Sequence, residues 1–263
     1  MKLEESIIQL CPESLRLPFR YHYSRVRGRL EKEIFYLEQL VGDGKRAIDI
    51  GANKGIYSYA LSQVCDIVEV FEPQCWCTEG IVAYSKAYRR KINVHNVGLS
   101  NLNGALTLHL PISNNDYSSW VPGLGNVVTG LGSFRELEGE QTLVNVPVRQ
   151  LDDYKFTDVS FIKIDVEGHE SRVIAGGSQT LVREKPVILI EIEQRHLGEQ
   201  SIDEIFEQIS ELGYEGSFLY KHRMIPLSEF SYQVNQKPFL DNVFSEEYIK
   251  NFIFKPLMVQ QNC

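Results

Sequence analysis

The sequence predicts an α/β fold, a mostly parallel, doubly wound, Rossmann-like sheet with helices on both faces. Three observations carry that prediction. Short β-branched runs alternate with stretches whose apolar residues recur at helical spacing. The first run, RAIDI at 46–50, passes through a turn bearing Gly51 and Gly55 straight into a helix-like segment, the arrangement found at the first crossover of such sheets. The composition, 43% hydrophobic and 24% charged, is that of an ordinary globular chain. A chain of 263 residues suits one such domain over 46–263, with a helical extension over 1–45 and an insertion at about 111–142.

Taken in order, RLEKEIFYLEQLV at 29–41 places Leu30, Ile34, Leu37 and Val41 on one helical face, and Gly42, Asp43 and Gly44 end it. The strand RAIDI and the helix GIYSYALSQV follow. DIVEVFEP, WCTEGIVAYSKAYRR and KINVHNVGLS read as strand, helix and strand, and this repetition makes the sheet parallel. GALTLHLP is an extended β segment, after which residues 113–141 are rich in Gly, Asn and Ser with Tyr117, Trp120 and Phe134 among them. A loop of that length is expected to act as a lid or substrate wall, with plain disorder as the alternative. VSFIKIDVEG, HESRVIAGGSQTLVRE and PVILIEIE resume the alternation. SIDEIFEQISELGY is a helix capped by Ser201 with Glu204 three residues on, and SFLYKHRMIPL is a closing strand or hairpin.

A net charge of −8 disfavours a phosphate backbone or an anionic membrane surface as partner. Arg16, Arg20, Arg25, Arg27 and Arg29 cluster, but Glu4, Glu5, Glu31 and Glu33 surround them, which predicts a solvated helical face. The five cysteines, Cys11, Cys65, Cys75, Cys77 and Cys263, lack C-x-x-C spacing and are expected as free thiols. The N-terminal MKLEES stretch contains no signal-like apolar run, so a cytoplasmic location is expected.

The candidate site starts at Asp49, Gly51, Ala52, Asn53, Lys54 and Gly55. Gly51 and Gly55 form G-x-x-x-G, which lacks the middle glycine that admits a pyrophosphate, and no G-K-[ST] follows. This spacing favours S-adenosylmethionine, which has no phosphate, over a dinucleotide. Glu72 ends the next strand, where one carboxylate takes both hydroxyls of a ribose. IKIDVEGHE then sets Asp165, Glu167, His169 and Glu170 at a strand end beside the cofactor edge. His169 is the candidate general base, with Asp165 orienting it or meeting the cofactor's ammonium group and Glu167 holding the acceptor hydroxyl; a solvent-facing histidine at a helix start is the alternative. Glu191 and Glu193 share a face with His196 just beyond, and with Asp165 they offer oxygen ligands to Mg²⁺, although a site without metal is the favoured assignment.

The motifs DIGANKGIYS, VFEP, NVGLS, LDDY, IKIDVEGHE and ILIEIE occur in the order seen in FkbM-type methyltransferases, and the chain resembles that family over about residues 46–196. The resemblance implies a class I methyltransferase fold and O-methylation of a hydroxyl on a sugar, polysaccharide or related natural product. It implies that Asp49, Gly51, Asn53 and Gly55 line the S-adenosylmethionine site, that Glu72 takes the ribose and that Asn96 lies near the adenine. Asp165, Glu167 and Glu170 match the family's D-x-E-G-x-E segment, in which His169 holds a variable place. The expected partner is a small-molecule or carbohydrate acceptor. Rival readings are N-methylation of a small amine, a nucleotide-binding dehydrogenase and a non-catalytic binding module on the same fold.

Overall fold

The computed structural model describes residues 8, 10–111, 118–120, 127–129, 132–135 and 140–257. Its strands are β1 Arg46–Ile50, β2 Ile67–Phe71, β3 Ile92–His95, β4 Gly98–Leu99, β5 Gly104–Pro111, β6 Ser118–Trp120, β7 Val127–Thr129, β8 Gln141–Arg149, β9 Val159–Ile164, β10 Val187–Glu191, β11 Tyr214–Tyr220, β12 Arg223–Pro226 and β13 Asn251–Pro256. The main sheet runs β12-β11-β13-β10-β9-β1-β2-β3. Its β10-β9-β1-β2-β3 half is parallel, and β13, β11 and β12 join it antiparallel.

Successive side chains of a strand point to opposite faces, so each strand feeds two cores. Ile48, Ile50, Ile162, Ile164, Ile188 and Ile190 lie in one, with the helices Glu170–Gly176 and Ile202–Glu211. Ala47, Val68, Val70, Phe161 and Leu189 lie in the other, under the helices Glu13–Val26, Ile56–Val64 and Cys75–Tyr88. Coverage on both sides explains why the central strands read as nearly continuous apolar runs. The doubly wound fold expected from the sequence is the one observed. No helix among the described residues is long and apolar enough to cross a membrane.

Several elements differ from the expectation. The stretch 29–41 is a 3-10 helix, Lys32–Tyr36, followed by the short helix Leu37–Val41. The tighter winding stacks residues three apart, which buries Ile34 and Leu37 together while Glu33 turns inward to Asn251. The helix expected over HESRVIAGGSQTLVRE breaks in two at Gly176 and Gly177, and at Gly176 the Ser100 carbonyl oxygen stands within 2.0 Å of where a Cβ would be. The Ser201–Glu204 capping box is present as expected.

A smaller sheet, β4-β8-β5, flanks the insertion, with β5 and β8 antiparallel from Gly104–Val148 to Pro111–Gln141. Within the insertion, β6 pairs with β7, Trp120 belonging to β6, while Tyr117 lies outside the described residues.

Candidate active site at the carboxyl edge of the sheet

β1, β2 and β9 end side by side, and a cavity partly open to solvent lies beyond their carboxyl ends. This is the edge at which open α/β sheets bind ligands. Five of the residues singled out from sequence line it: Gly51, Asn53, Glu72, Asp165 and Glu167. Phe134, from the end of the insertion, closes the opposite side with Leu108 of β5.

Glu72 is 3% exposed, and its two oxygens accept the backbone N–H groups of Asn53 at 2.8 Å and Gln74 at 2.9 Å. Its carboxylate thereby ties the glycine turn to the end of β2. Burial pushes its pKa up to about 7, against the pull of those two donors. Gly51 has φ +77°, and a Cβ there would stand 1.8 Å from the Asp165 carbonyl oxygen, so the first turn and the Asp165 loop meet backbone to backbone.

The other predicted residues stand behind the cavity wall. Asp49 is 1% exposed and accepts the Ser58 hydroxyl at 2.5 Å, anchoring the first turn of the helix Ile56–Val64. Gly55, at φ +82°, lets Ile81 pack where a side chain would collide. The Asn96 amide donates to the Glu72 carbonyl oxygen at 3.2 Å and to Thr78 Oγ1 at 3.0 Å, bracing Glu72 from behind. His169 is buried, with Nε2 3.0 Å from Ser100 Oγ and its ring centroid 4.7 Å from that of Phe134. Burial, with Arg172 nearby, pushes its pKa down to about 4. Glu170 also turns inward, where its carboxylate accepts the Gly168 N–H at 3.0 Å.

Asp165, Glu167 and Glu191 bring carboxylate oxygens within 4.8 Å of one another. Each has a basic neighbour: Lys163 Nζ at 3.8 Å from Asp165, His196 Nδ1 at 2.8 Å from Glu167 and Lys250 Nζ at 2.8 Å from Glu191. Glu193 belongs elsewhere, bound to Arg195 and to the Tyr248 hydroxyl. Mg²⁺ needs open carboxylate oxygens. A cluster already compensated by two lysines and a histidine does not fit it.

Lys163, Lys250, Glu31, Ser133 and Arg135 were not singled out from sequence for this region. Lys163 is 1% exposed within the apolar run of β9, and a lysine in such a run is the signal that could have found it. Glu31 bonds Lys250, Tyr57 and Asn251, and although burial opposes it the two lysines hold its pKa down at about 2. Nothing local marks residues so far apart in the chain as partners.

Burial raises Asp49 to about 6, and Glu33, Glu72 and Glu170 to about 7. Each binds its proton more tightly folded than unfolded, so its stabilising contribution is full below the ordinary carboxyl range and is lost as pH rises through the folded value. His169 opposes this only below its ordinary value of 6.5. We predict that the thermal midpoint falls between about pH 6.5 and pH 8. A midpoint that rises across that window in a scanning calorimeter would contradict the buried positions of these acids.

The methyltransferase FkbM domain family matches residues 49–215. The structure is similar to the methyltransferase FkbM from Methylobacillus flagellatus KT, with a TM-score of 0.50 and 15% identity, over 95% of this chain and 57% of that one. The chain therefore spans less than two thirds of that protein's length. It is also similar to a TehB-like SAM-dependent methyltransferase from Corynebacterium glutamicum (TM-score 0.45, 10% identity, 93% of this chain and 98% of that one). An rRNA methylase from Streptococcus thermophilus gives a TM-score of 0.42 and 10% identity, over 86% of this chain and 95% of that one. No curated protein matches the chain.

Proposed function

The chain belongs to the FkbM methyltransferase family, and from that membership we propose that it methylates a hydroxyl of a sugar, polysaccharide or related natural-product metabolite with S-adenosylmethionine. The observation that carries this reading is the charge of the cavity wall. Among its described lining residues are three carboxyl groups, Glu72, Asp165 and Glu167, and no lysine, arginine or histidine. A pyrophosphate would meet only like charge there, whereas a sulfonium bearing an ammonium group meets opposite charge.

S-adenosylmethionine would supply the activated methyl group. On this reading Glu72 accepts the ribose hydroxyls, the backbone at Gly51 and Asn53 admits the ligand closely, and Asp165 faces the ammonium group. Asp49, Gly55 and Asn96 act one layer behind, holding the glycine turn and Glu72 in place. Glu167 stands toward the acceptor, and Phe134 excludes water from that side. Residues 1–45 serve as an extension of the catalytic domain 46–263. The acceptor is a small molecule or carbohydrate rather than nucleic acid or membrane, in keeping with the net charge of −8, and the enzyme acts in the cytoplasm.

Calorimetric titration with S-adenosylhomocysteine, and separately with NAD, tests the cofactor assignment. We expect binding at micromolar concentration of the first and none of the second. NAD binding alone, or binding of neither, would overturn the proposal. Transfer of labelled methyl to pooled saccharides and polyhydroxylated compounds, compared with pooled amines, then tests the acceptor class.

A further inference from the structure

We propose that His196, held by Glu167, is the residue that accepts the proton of the acceptor hydroxyl. The inference rests on the methyltransferase reading and assigns to His196 the step that the sequence suggested for His169. His169 is buried and turned to Ser100, which leaves Asp165, Glu167 and the histidine bound to Glu167 as the proton acceptors nearest the cavity.

The geometry at His196 is that of a carboxylate–histidine pair. Nδ1 lies 2.8 Å from Glu167 Oε2, and the two side chains are 23% and 22% exposed, so the pair is neither buried nor free in solution. A histidine so bound by Nδ1 carries its proton there and presents a bare Nε2 as base. Among the described residues none hydrogen-bonds Nε2 of His196. Glu167 lines the cavity next to Asp165, and His196 stands beside it, outside the lining.

The backbone around the pair is built to hold it. Glu167 has φ +52°, a left-handed conformation that a glutamate adopts only where the surroundings impose it. Gly168 follows at φ +94°, and a Cβ there would stand 2.3 Å from the His196 carbonyl oxygen. Arg135 Nη1 donates to that same carbonyl at 2.8 Å, and Ser133 Oγ donates to the Glu167 carbonyl at 2.9 Å. Gly198, with φ +64°, makes room for the Arg135 guanidinium. The segment 132–135 thus straps both members of the pair from the insertion side.

The charged groups around His196 are Glu167, Glu193 and Arg195, together with Arg135 at its backbone carbonyl. Burial lowers its pKa, but the bond and charge of Glu167, with Glu193, outweigh burial and Arg195 and raise it above the ordinary 6.5. As the acceptor oxygen takes the methyl group, the carbon–sulfur bond breaks with its electron pair left on sulfur, and the hydroxyl proton passes to Nε2. The imidazolium formed sits against the Glu167 carboxylate and then loses its proton to solvent.

The test uses the full chain labelled with ¹⁵N and saturated with S-adenosylhomocysteine. Histidine side-chain NMR is recorded across the pH range, with His196 identified by its loss in His196→Asn. We expect a neutral form protonated at Nδ1, and a pKa above the ordinary value that drops in Glu167→Gln. In the pooled-acceptor assay, His196→Asn should lower kcat at least about 100-fold and remove the acid limb of its pH profile, while S-adenosylhomocysteine affinity is kept. A neutral form protonated at Nε2, a pKa insensitive to Glu167→Gln, or undiminished turnover of His196→Asn would each overturn the assignment. If the unaltered chain transfers no methyl to any pool, the NMR result alone decides. Failure of S-adenosylhomocysteine to bind at all would instead overturn the methyltransferase reading.

Discussion

Glu72→Gln is expected to weaken S-adenosylhomocysteine binding about tenfold to hundredfold while leaving the chain folded. The carboxylate accepts from Asn53 N and Gln74 N at once, one to each oxygen. A glutamine keeps one acceptor and turns an NH₂ group toward the other donor, so one buried backbone N–H loses its partner. That costs about 1–3 kcal/mol and loosens the turn that shapes the cavity. The charged acceptor for the ribose hydroxyls is lost as well, a further cost of about 1.5–3 kcal/mol. The first cost falls on folding, and the second alone amounts to about a tenfold to hundredfold loss of affinity. Because Glu72 titrates near 7, binding by the unaltered chain should strengthen as pH rises through that value, since the ionised form is the better acceptor. Calorimetry on both proteins checks each statement, and unchanged affinity in Glu72→Gln would remove Glu72 from the site.

Gly51→Ala should have the largest effect on stability. Its Cβ would stand 1.8 Å from the Asp165 carbonyl oxygen and 2.8 Å from the Asp165 carbonyl carbon, and neither backbone atom can turn aside as a flexible side chain would. The left-handed conformation alone costs an alanine about 1–2 kcal/mol. Parting the ends of β1 and β9 adds about 1–3 kcal/mol and opens the cavity. Gly28→Ala separates the two contributions, because Gly28 has φ +63° with nothing within 4 Å of the added carbon. Urea unfolding should show Gly51→Ala losing clearly more stability than Gly28→Ala, together with S-adenosylhomocysteine binding. Equal losses would mean that the two loops do not meet as described.

The parts of the site that were legible in the sequence are those carried by local pattern. Gly51 and Glu72 each follow directly on a β-branched strand, so their place at one sheet edge follows once the strands are parallel. Asp165 and Glu167 are found in the same way at the end of β9. His169 misled because a strand-end position says nothing about the direction of its side chain. It turns toward Ser100, which β4 and β8 bring beneath it, and that sheet was only half read, since Gln141–Arg149 was not recognised as a strand.

β13 shows the same limit on the scale of the fold. Asn251–Pro256 carries the apolar run NFIF but enters between β10 and β11, two strands that precede it in the chain. The cross-strand neighbour of Glu191 is therefore Asn251, whose amide reaches Glu31 and Glu33 across more than 200 residues of chain.

By itself the sequence determined the class of fold, the turns, and which acids stand at strand ends, because strand period, helical spacing and glycine geometry act over a few residues. The tertiary structure alone decided the pairs: Glu167 with His196, Lys250 with Glu31 and Glu191, and Arg135 across the His196 carbonyl. A contact between residues distant in the chain leaves no periodic mark in either segment, and its partner is chosen only when the sheet order closes and burial requires each charge to find a counterpart.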